Sequence, residues 1–250
     1  MVKFLFFLVL AMAGFVPAAM AATAPGDPSL AGGGAVMSTS PYAGVGTRTH
    51  AIPFFALEYK NFYIKGLEAG YRGLKAGDLT VSVIVDGQWM GYHAGDSAAL
   101  EGMKDRGMSL GAGVKAEYAL PWHQMTFTAK AVRDVLAHYD GGNCELSVSR
   151  PVRGRIFRFY PSVGVSYETR QMTDYYYGVR DDEARAGRPA YTPGSAADPF
   201  VRGVLSVGVS RNLIVLTMLR AESLAPEIRK SPLVNKSYAL SAACGLCWRF

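Results

Sequence analysis

The last fourteen residues of the chain, 237–250, alternate without a break. Tyr238, Leu240, Ala242, Cys244, Leu246, Trp248 and Phe250 fall on one face of an extended strand. Ser237, Ala239, Ser241, Ala243, Gly245, Cys247 and Arg249 fall on the other. Successive side chains of a strand point to opposite faces, so one face is apolar and ends in two aromatics while the other is small or polar. Soluble strands run to roughly 5–6 residues, and this one is much longer.

The same period recurs upstream. Leu79, Val81, Val83 and Val85 alternate with Thr80, Ser82, Ile84 and Asp86, and residues 108–118 set Leu110, Ala112 and Val114 against Ser109, Gly111 and Lys115. Residues 125–132, 143–149, 157–168 and 201–210 repeat the pattern. Long segments with one uniformly apolar face and one of Gly, Ser and charge match strands that cross a bilayer as a closed barrel. Ending on Phe250, the final segment resembles the closing strand of a bacterial outer-membrane β-barrel, with Tyr238, Leu240, Leu246, Trp248 and Phe250 toward lipid. The expected fold is all-β, a transmembrane antiparallel up-and-down barrel.

The N-terminus fits that compartment. Lys3 precedes an apolar run over residues 4–16, and Ala19-Met20-Ala21 is a small-x-small cleavage site, which together read as a secretory signal peptide over residues 1–21. Its apolar run is shorter than the roughly 20 residues a spanning helix needs. Residues 22–31, with Pro25, Gly26, Asp27 and Pro28, read as a flexible periplasmic leader, and residues 32–250 as the barrel. With half of the residues hydrophobic and no apolar run that could span as a helix, the location implied is the outer membrane of a Gram-negative bacterium.

Strand candidates at 32–39, 51–59, 62–71 and 79–92 bring the total to eleven, whereas single-chain bacterial barrels carry an even number. The expectation is twelve, with one strand missed in the first seventy residues, or ten if 32–39 is not a strand. Short links at 119–123, 151–155 and 211–212 alternate with longer ones at 93–106, 171–199 and 225–236, as periplasmic turns alternate with external loops. The polar face then puts Lys115, Glu117, Lys130, Glu168, Arg202 and Arg249 toward the lumen. These mix both signs, and in a narrow barrel they can pair and fill it rather than line an ion path.

Other chemistry is thinly signalled. Cys244 and Cys247 have CxxC spacing, but residues three apart on a strand face opposite ways, so neither a disulfide nor a shared metal is easy. His138-Tyr139-Asp140 falls in an external loop, where barrel hydrolases keep acid–base groups. No His-Glu-x-x-His occurs, and no catalytic, cofactor or metal site is expected. The formal charge of +6 falls to +5 when Lys3 leaves with the signal. Arg150, Arg153, Arg155 and Arg158 cluster without the interleaved aromatics of a nucleic-acid surface, so no nucleic-acid partner is expected and outer-membrane lipid is.

Ordered motifs add a resemblance. Ser40-Pro41-Tyr42-Ala43-Gly44 followed by Ile52-Pro53-Phe54-Phe55, then Tyr177-Gly178-Val179, Arg188-Pro189-Ala190-Tyr191, Ser231-Pro232-Leu233-Val234 and the terminal Trp248-Arg249-Phe250 resemble, in order, the pattern of the MipA/OmpV family of outer-membrane proteins. Cys244, Cys247 and a loop at 93–106 poor in acids depart from it. The resemblance implies a non-enzymatic scaffold joining a membrane-bound lytic transglycosylase, a murein hydrolase, to a penicillin-binding murein synthase during peptidoglycan growth. Porin-like channels and surface adhesins are the family's alternatives. A scaffold of this kind would meet its partner on the periplasmic side, where Arg153 and Arg155 and the leader are the features on offer.

Overall fold

The computed structural model describes residues 29–250; the signal peptide and leader residues up to 28 lie outside the described residues. Twelve antiparallel strands close a barrel. They are β1 Leu30–Thr39, β2 Thr47–Tyr59, β3 Phe62–Lys65, β4 Glu68–Ala76, β5 Leu79–Gln88 and β6 Ser109–Leu120. The second half is β7 Met125–Asp134, β8 Gly142–Ser149, β9 Phe157–Glu168, β10 Ala196–Gly208, β11 Leu213–Ser223 and β12 Tyr238–Arg249. Each strand pairs with its chain neighbours, and β1 closes the circle on β12 in the register Leu30↔Arg249 to Ser38↔Ser241. A further two-residue strand, Val152–Arg153, pairs only with β9 at Arg158 and Phe159. Among the described residues no helix is long and apolar enough to cross a membrane.

The strand missing from the sequence count lies in 62–71, which is not one strand. The chain turns at Gly66 (φ 61°) and Leu67, so 62–65 goes up and 68–76 comes back down. The inward set changes parity there, from Tyr63 and Lys65 to Glu68 and Gly70, but with only two residues between the strands the stretch reads as one. β1 also starts at Leu30, so Leu30 and Ala31, assigned to the leader by sequence, belong to the wall. β10 starts at Ala196, inside the expected external loop 171–199. β5 ends at Gln88 rather than at residue 92.

Because β3 is only four residues long, β2 pairs with it only from Ala56 to Tyr59. Over Thr47–Phe55, β1 is β2's strand partner, and the wall is lower in this sector. The Phe55 carbonyl accepts from Gly66 N–H at 2.8 Å, so by alternation the Pro53 nitrogen points toward the same unpaired side. Proline carries no N–H, and an edge is where a strand tolerates it.

Tight turns fill one end and long loops the other. Lys60 (φ 55°), Gly77 (φ 57°) and Gln124 (φ 52°) take left-handed conformations in the short turns. That end is periplasmic by the usual asymmetry of such barrels. Outward positions are apolar throughout the middle of the wall, including Val83, Val114, Val163, Val201 and Leu219, all exposed. Exposed Tyr59, Phe62, Tyr118, Trp122, Phe127 and Trp248 gather toward the periplasmic ends of their strands, and Tyr167 and Tyr238 toward the external ends, as aromatic girdles do at the two interfaces.

The lumen is packed, and its two sides differ. Around β10, β11, β12, β1 and β2 it is apolar: Val36, Ile52, Phe54, Val204, Ile214, Met218, Ala243 and Cys247 form one buried cluster with Trp89. The Phe54 ring lies against Gly34 and Gly245; a Cβ on either glycine would sit 2.7–2.8 Å from its Cε2. Only glycine permits that approach. The other side of the lumen is ionic.

Candidate functional site: a plugged lumen under a tyrosine cap

Alternation on β3 to β8 points mainly polar and charged side chains inward, with Ile84 and Val132 among the exceptions, and neighbouring strands bring opposite signs together. Lys115 Nζ lies 2.5 Å from Glu68 Oε1 and 3.8 Å from Glu117. Lys130 Nζ reaches Asp86 at 2.9 Å. Glu58 holds Arg72 at 2.8 Å and Lys65 at 3.2 Å. Across the lumen, Glu145 on β8 receives Arg202 of β10 at 3.3 Å and Arg220 of β11 at 2.9 Å. Arg220 also holds Glu222 at 2.8 Å, and its guanidinium stacks 3.8 Å from the Phe200 ring centroid. Tyr63 donates to Glu68 at 2.9 Å, with the Lys115 ammonium 4.6 Å from its ring centroid. Buried pairs of this kind gain little net stability, but removing one partner leaves an uncompensated charge, so the network fixes register more than it adds energy.

The sequence-predicted residues divide accordingly. Lys115, Lys130, Glu117 and Arg202 sit in the ion-paired lumen. Glu168 is buried at the external end of β9 with Oε2 unpartnered. Arg249 lies apart from this network: its guanidinium donates to the Arg211 carbonyl at the periplasmic rim. Cys244 is exposed and Cys247 buried, on opposite faces of β12, and all three cysteines are free. His138 and Asp140 are not brought together as an acid–base pair. His138 stacks on Tyr175 with centroids 6.1 Å apart, while Asp140 pairs with Arg133 at 2.8 Å. Arg153 and Arg155 are exposed in the turn between β8 and β9, a turn closed by Gly154 N–H donating to the Phe157 carbonyl at 2.9 Å.

Above the ion pairs, the external loops fold into a lid that motif reading did not find. Tyr42, Tyr92, Leu100, Met103, Tyr139, Met172, Tyr176, Tyr177, Ile228 and Leu233 pack as one buried cluster. Helix α1, Arg170–Tyr177, supplies Met172, Tyr176 and Tyr177 to it, and the short helix α2, Pro226–Arg229, supplies Ile228. Tyr42 packs edge-on against Tyr92 at 4.7 Å, and its hydroxyl donates to the Tyr176 carbonyl at 3.2 Å. Arg106 ties two loops together. It donates to both oxygens of Glu183 at 2.9 and 3.0 Å and to the Tyr175 carbonyl at 2.8 Å. Arg188 donates to the Ala99 and Glu101 carbonyls at 2.7 and 3.0 Å. Burial alone would raise the Glu183 carboxyl, but the Lys104 and Arg180 amides and the Arg106 guanidinium outweigh it and hold it below the ordinary range. Burial pushes the Tyr92 hydroxyl up to about 12. The signal was present as tyrosine density, above all Tyr175-Tyr176-Tyr177, which a solvated loop would not need.

A twelve-strand barrel with an apolar outer belt, aromatic girdles, short turns at one end and folded loops at the other is an outer-membrane β-barrel protein. The chain belongs to the family described as MltA-interacting protein MipA, which it matches over residues 31–250. It is 27% identical to YiaT of Escherichia coli K12 over 224 residues, covering 88% of this chain and 89% of that one. It is 26% identical to the MltA-interacting protein of the same strain over 225 residues, with the same coverage. With the outer membrane protein OmpV of Vibrio cholerae it shares 25% identity over 134 residues, 54% of this chain and 51% of the relative. Its place is the outer membrane of a Gram-negative bacterium.

Proposed function

We propose that this protein is a scaffold in the outer membrane that holds a membrane-bound lytic transglycosylase, and through it a penicillin-binding murein synthase, for peptidoglycan growth. The observation that carries the reading is the filled lumen. Ion pairs and the tyrosine cap occupy the cross-section that a channel needs open, which weighs against a porin. The name of the 26%-identical relative supports the choice of partner. On the periplasmic side the exposed Arg153 and Arg155 suit an acidic patch. A stable interface takes about 800 Å² per partner, more than one short turn offers, so the predicted leader supplies the remainder.

The test is charge reversal. Arg153→Glu with Arg155→Glu should abolish co-purification of the transglycosylase from crosslinked envelopes and leave the heat-modifiable folded band unchanged. Undiminished capture would remove the turn from the interface. Steady single-channel currents that change on replacing Lys115, with no transglycosylase captured, would replace the scaffold by a channel.

A further inference from the structure

Between the ion pairs and the cap lies a chamber of about 70 Å³. That is room for several waters or one small polar molecule, since a water takes roughly 10–15 Å³ by this measure. Four carboxylates line it, from Glu145, Glu168, Asp198 and Glu222, against two cations, Lys130 and Arg220. Both cations are already committed, Lys130 to Asp86 at 2.9 Å and Arg220 to Glu145 and Glu222 at 2.9 and 2.8 Å. Asp198 Oδ1 accepts the Ala225 N–H at 2.6 Å. Neither Asp198 nor Glu168 has an ion-pair partner among the described residues.

Glu168 is 7% exposed. Its Oε2 has no hydrogen-bond partner, and neither has Asn143 Oδ1; among the described residues lining the chamber, the unmatched donor is Arg220 Nε. A buried carboxylate without a counter-charge costs several kcal/mol, so alone Glu168 holds a proton, and a cation beside it is what lets it ionise. What it lacks is positive charge carrying N–H donors. Trp89 and Tyr177 supply aromatic surface in the same lining, the kind of neighbour that cations favour. No group of three or more His, Cys, Asp or Glu side chains among the described residues is arranged to hold a metal ion.

We infer that this chamber binds a small organic ammonium ion, a primary amine of one or a few carbons. Its three N–H donors meet Glu168 Oε2 and Asn143 Oδ1, and its charge offsets Glu168 and Asp198. The inference stands independently of the scaffold reading, because no residue it uses reaches the periplasmic turns.

The experiment is calorimetric titration of the detergent-purified full barrel with methylammonium, and with potassium as the bare-charge comparison. Saturable 1:1 binding of methylammonium is expected, weakened about tenfold to a hundredfold in Glu168→Gln, as suits loss of one charge-assisted hydrogen bond. Glu117→Gln, lower in the lumen, should bind as the native protein does. The heat-modification midpoint of the native barrel should rise with added methylammonium, and that of Glu168→Gln should not. Should that variant fail to fold, Asp198→Asn takes its place with the same expectation for binding. Absence of saturable heat, equal binding to Glu168→Gln and native protein, or equal affinity for potassium would overturn the assignment.

Discussion

Glu145 is the point at which the lumen is most exposed to a single change. Its carboxylate joins three strands, taking Arg220 at 2.9 Å and Arg202 at 3.3 Å, with side-chain exposures of 10%, 6% and 13% for Glu145, Arg220 and Arg202. Removing one partner of a buried pair typically costs about 3–5 kcal/mol. Two features lower the expectation here. Arg220 keeps Glu222 at 2.8 Å, and Arg202 keeps Ser162 Oγ at 3.2 Å and some access to solvent. Glu145→Ala is therefore expected near the bottom of that range, about 3 kcal/mol. Glu145→Gln keeps a neutral acceptor and should cost about 1–2 kcal/mol. A double-mutant cycle with Arg220→Met should return a coupling of about 1–3 kcal/mol, the range for residues in one network. The assay is urea unfolding of the barrel in lipid vesicles, followed by tryptophan fluorescence and by the shift of the unboiled band. A cost for Glu145→Ala under about 0.5 kcal/mol, the scale of a surface change, would mean that the carboxylate does not bridge the lumen, and the reasoning would fail.

Three other outcomes are expected. Leu246→Arg, on the lipid face, should cost less than the roughly 2–4 kcal/mol of a midplane site because it lies toward the periplasmic end of β12; Ala243→Arg should be at least as damaging, since Ala243 is 2% exposed opposite Val36 and Met218. The fraction of heat-modifiable protein measures both, and normal folding of Ala243→Arg would contradict the packed lumen. Gly34→Val should yield no folded band, because a side chain there meets the Phe54 ring and the Cys244 carbonyl; a stable folded variant would show that β1 can move away. Glu183 titrates below its ordinary value of 4.5 in the folded cap, so its contribution is complete above about pH 4.5 and is lost as pH falls through the lowered value. The protection factors of the amides in residues 99–106 should hold from neutrality to that point and fall only below it; loosening already at pH 6 would assign the effect to another group.

The wall was legible because a lipid-facing strand has to alternate, and Val83, Val163 and Leu246 do so without exception. The β3–β4 turn was not, because Gly66 and Leu67 are too short an interruption to read as a turn, although the inward set passes there from Tyr63 and Lys65 to Glu68 and Gly70. Lumen charges could be named from alternation, yet their partners come from strands far apart in the chain: Glu145 and Arg220 are 75 positions apart. Arg249 shows the limit of facing alone, since its parity is inward but its depth puts it at the rim. The apolar half of the lumen had a faint signature. Ile52-Pro53-Phe54-Phe55-Ala56-Leu57 is apolar at consecutive positions, as a strand covered on both faces must be. The cap escaped period-based reading altogether, since loops have no period and its core is assembled from five of them.

The cap also joins the two ends of the chain. Tyr42 bridges to Val234, Ala43 N–H donates to the Leu233 carbonyl at 2.8 Å, and Lys236 Nζ donates to the Ser40 carbonyl at 2.8 Å. These contacts link the first external loop to the last, nearly two hundred residues apart, and such distant pairings form late because the intervening chain must be ordered first. The lid is thus a latch across the β1–β12 seam, fastening the loops beside the two strands that close the circle. A spectroscopic probe beside Tyr42 would time the joining of the barrel's ends, separately from the arrival of its strands in the bilayer.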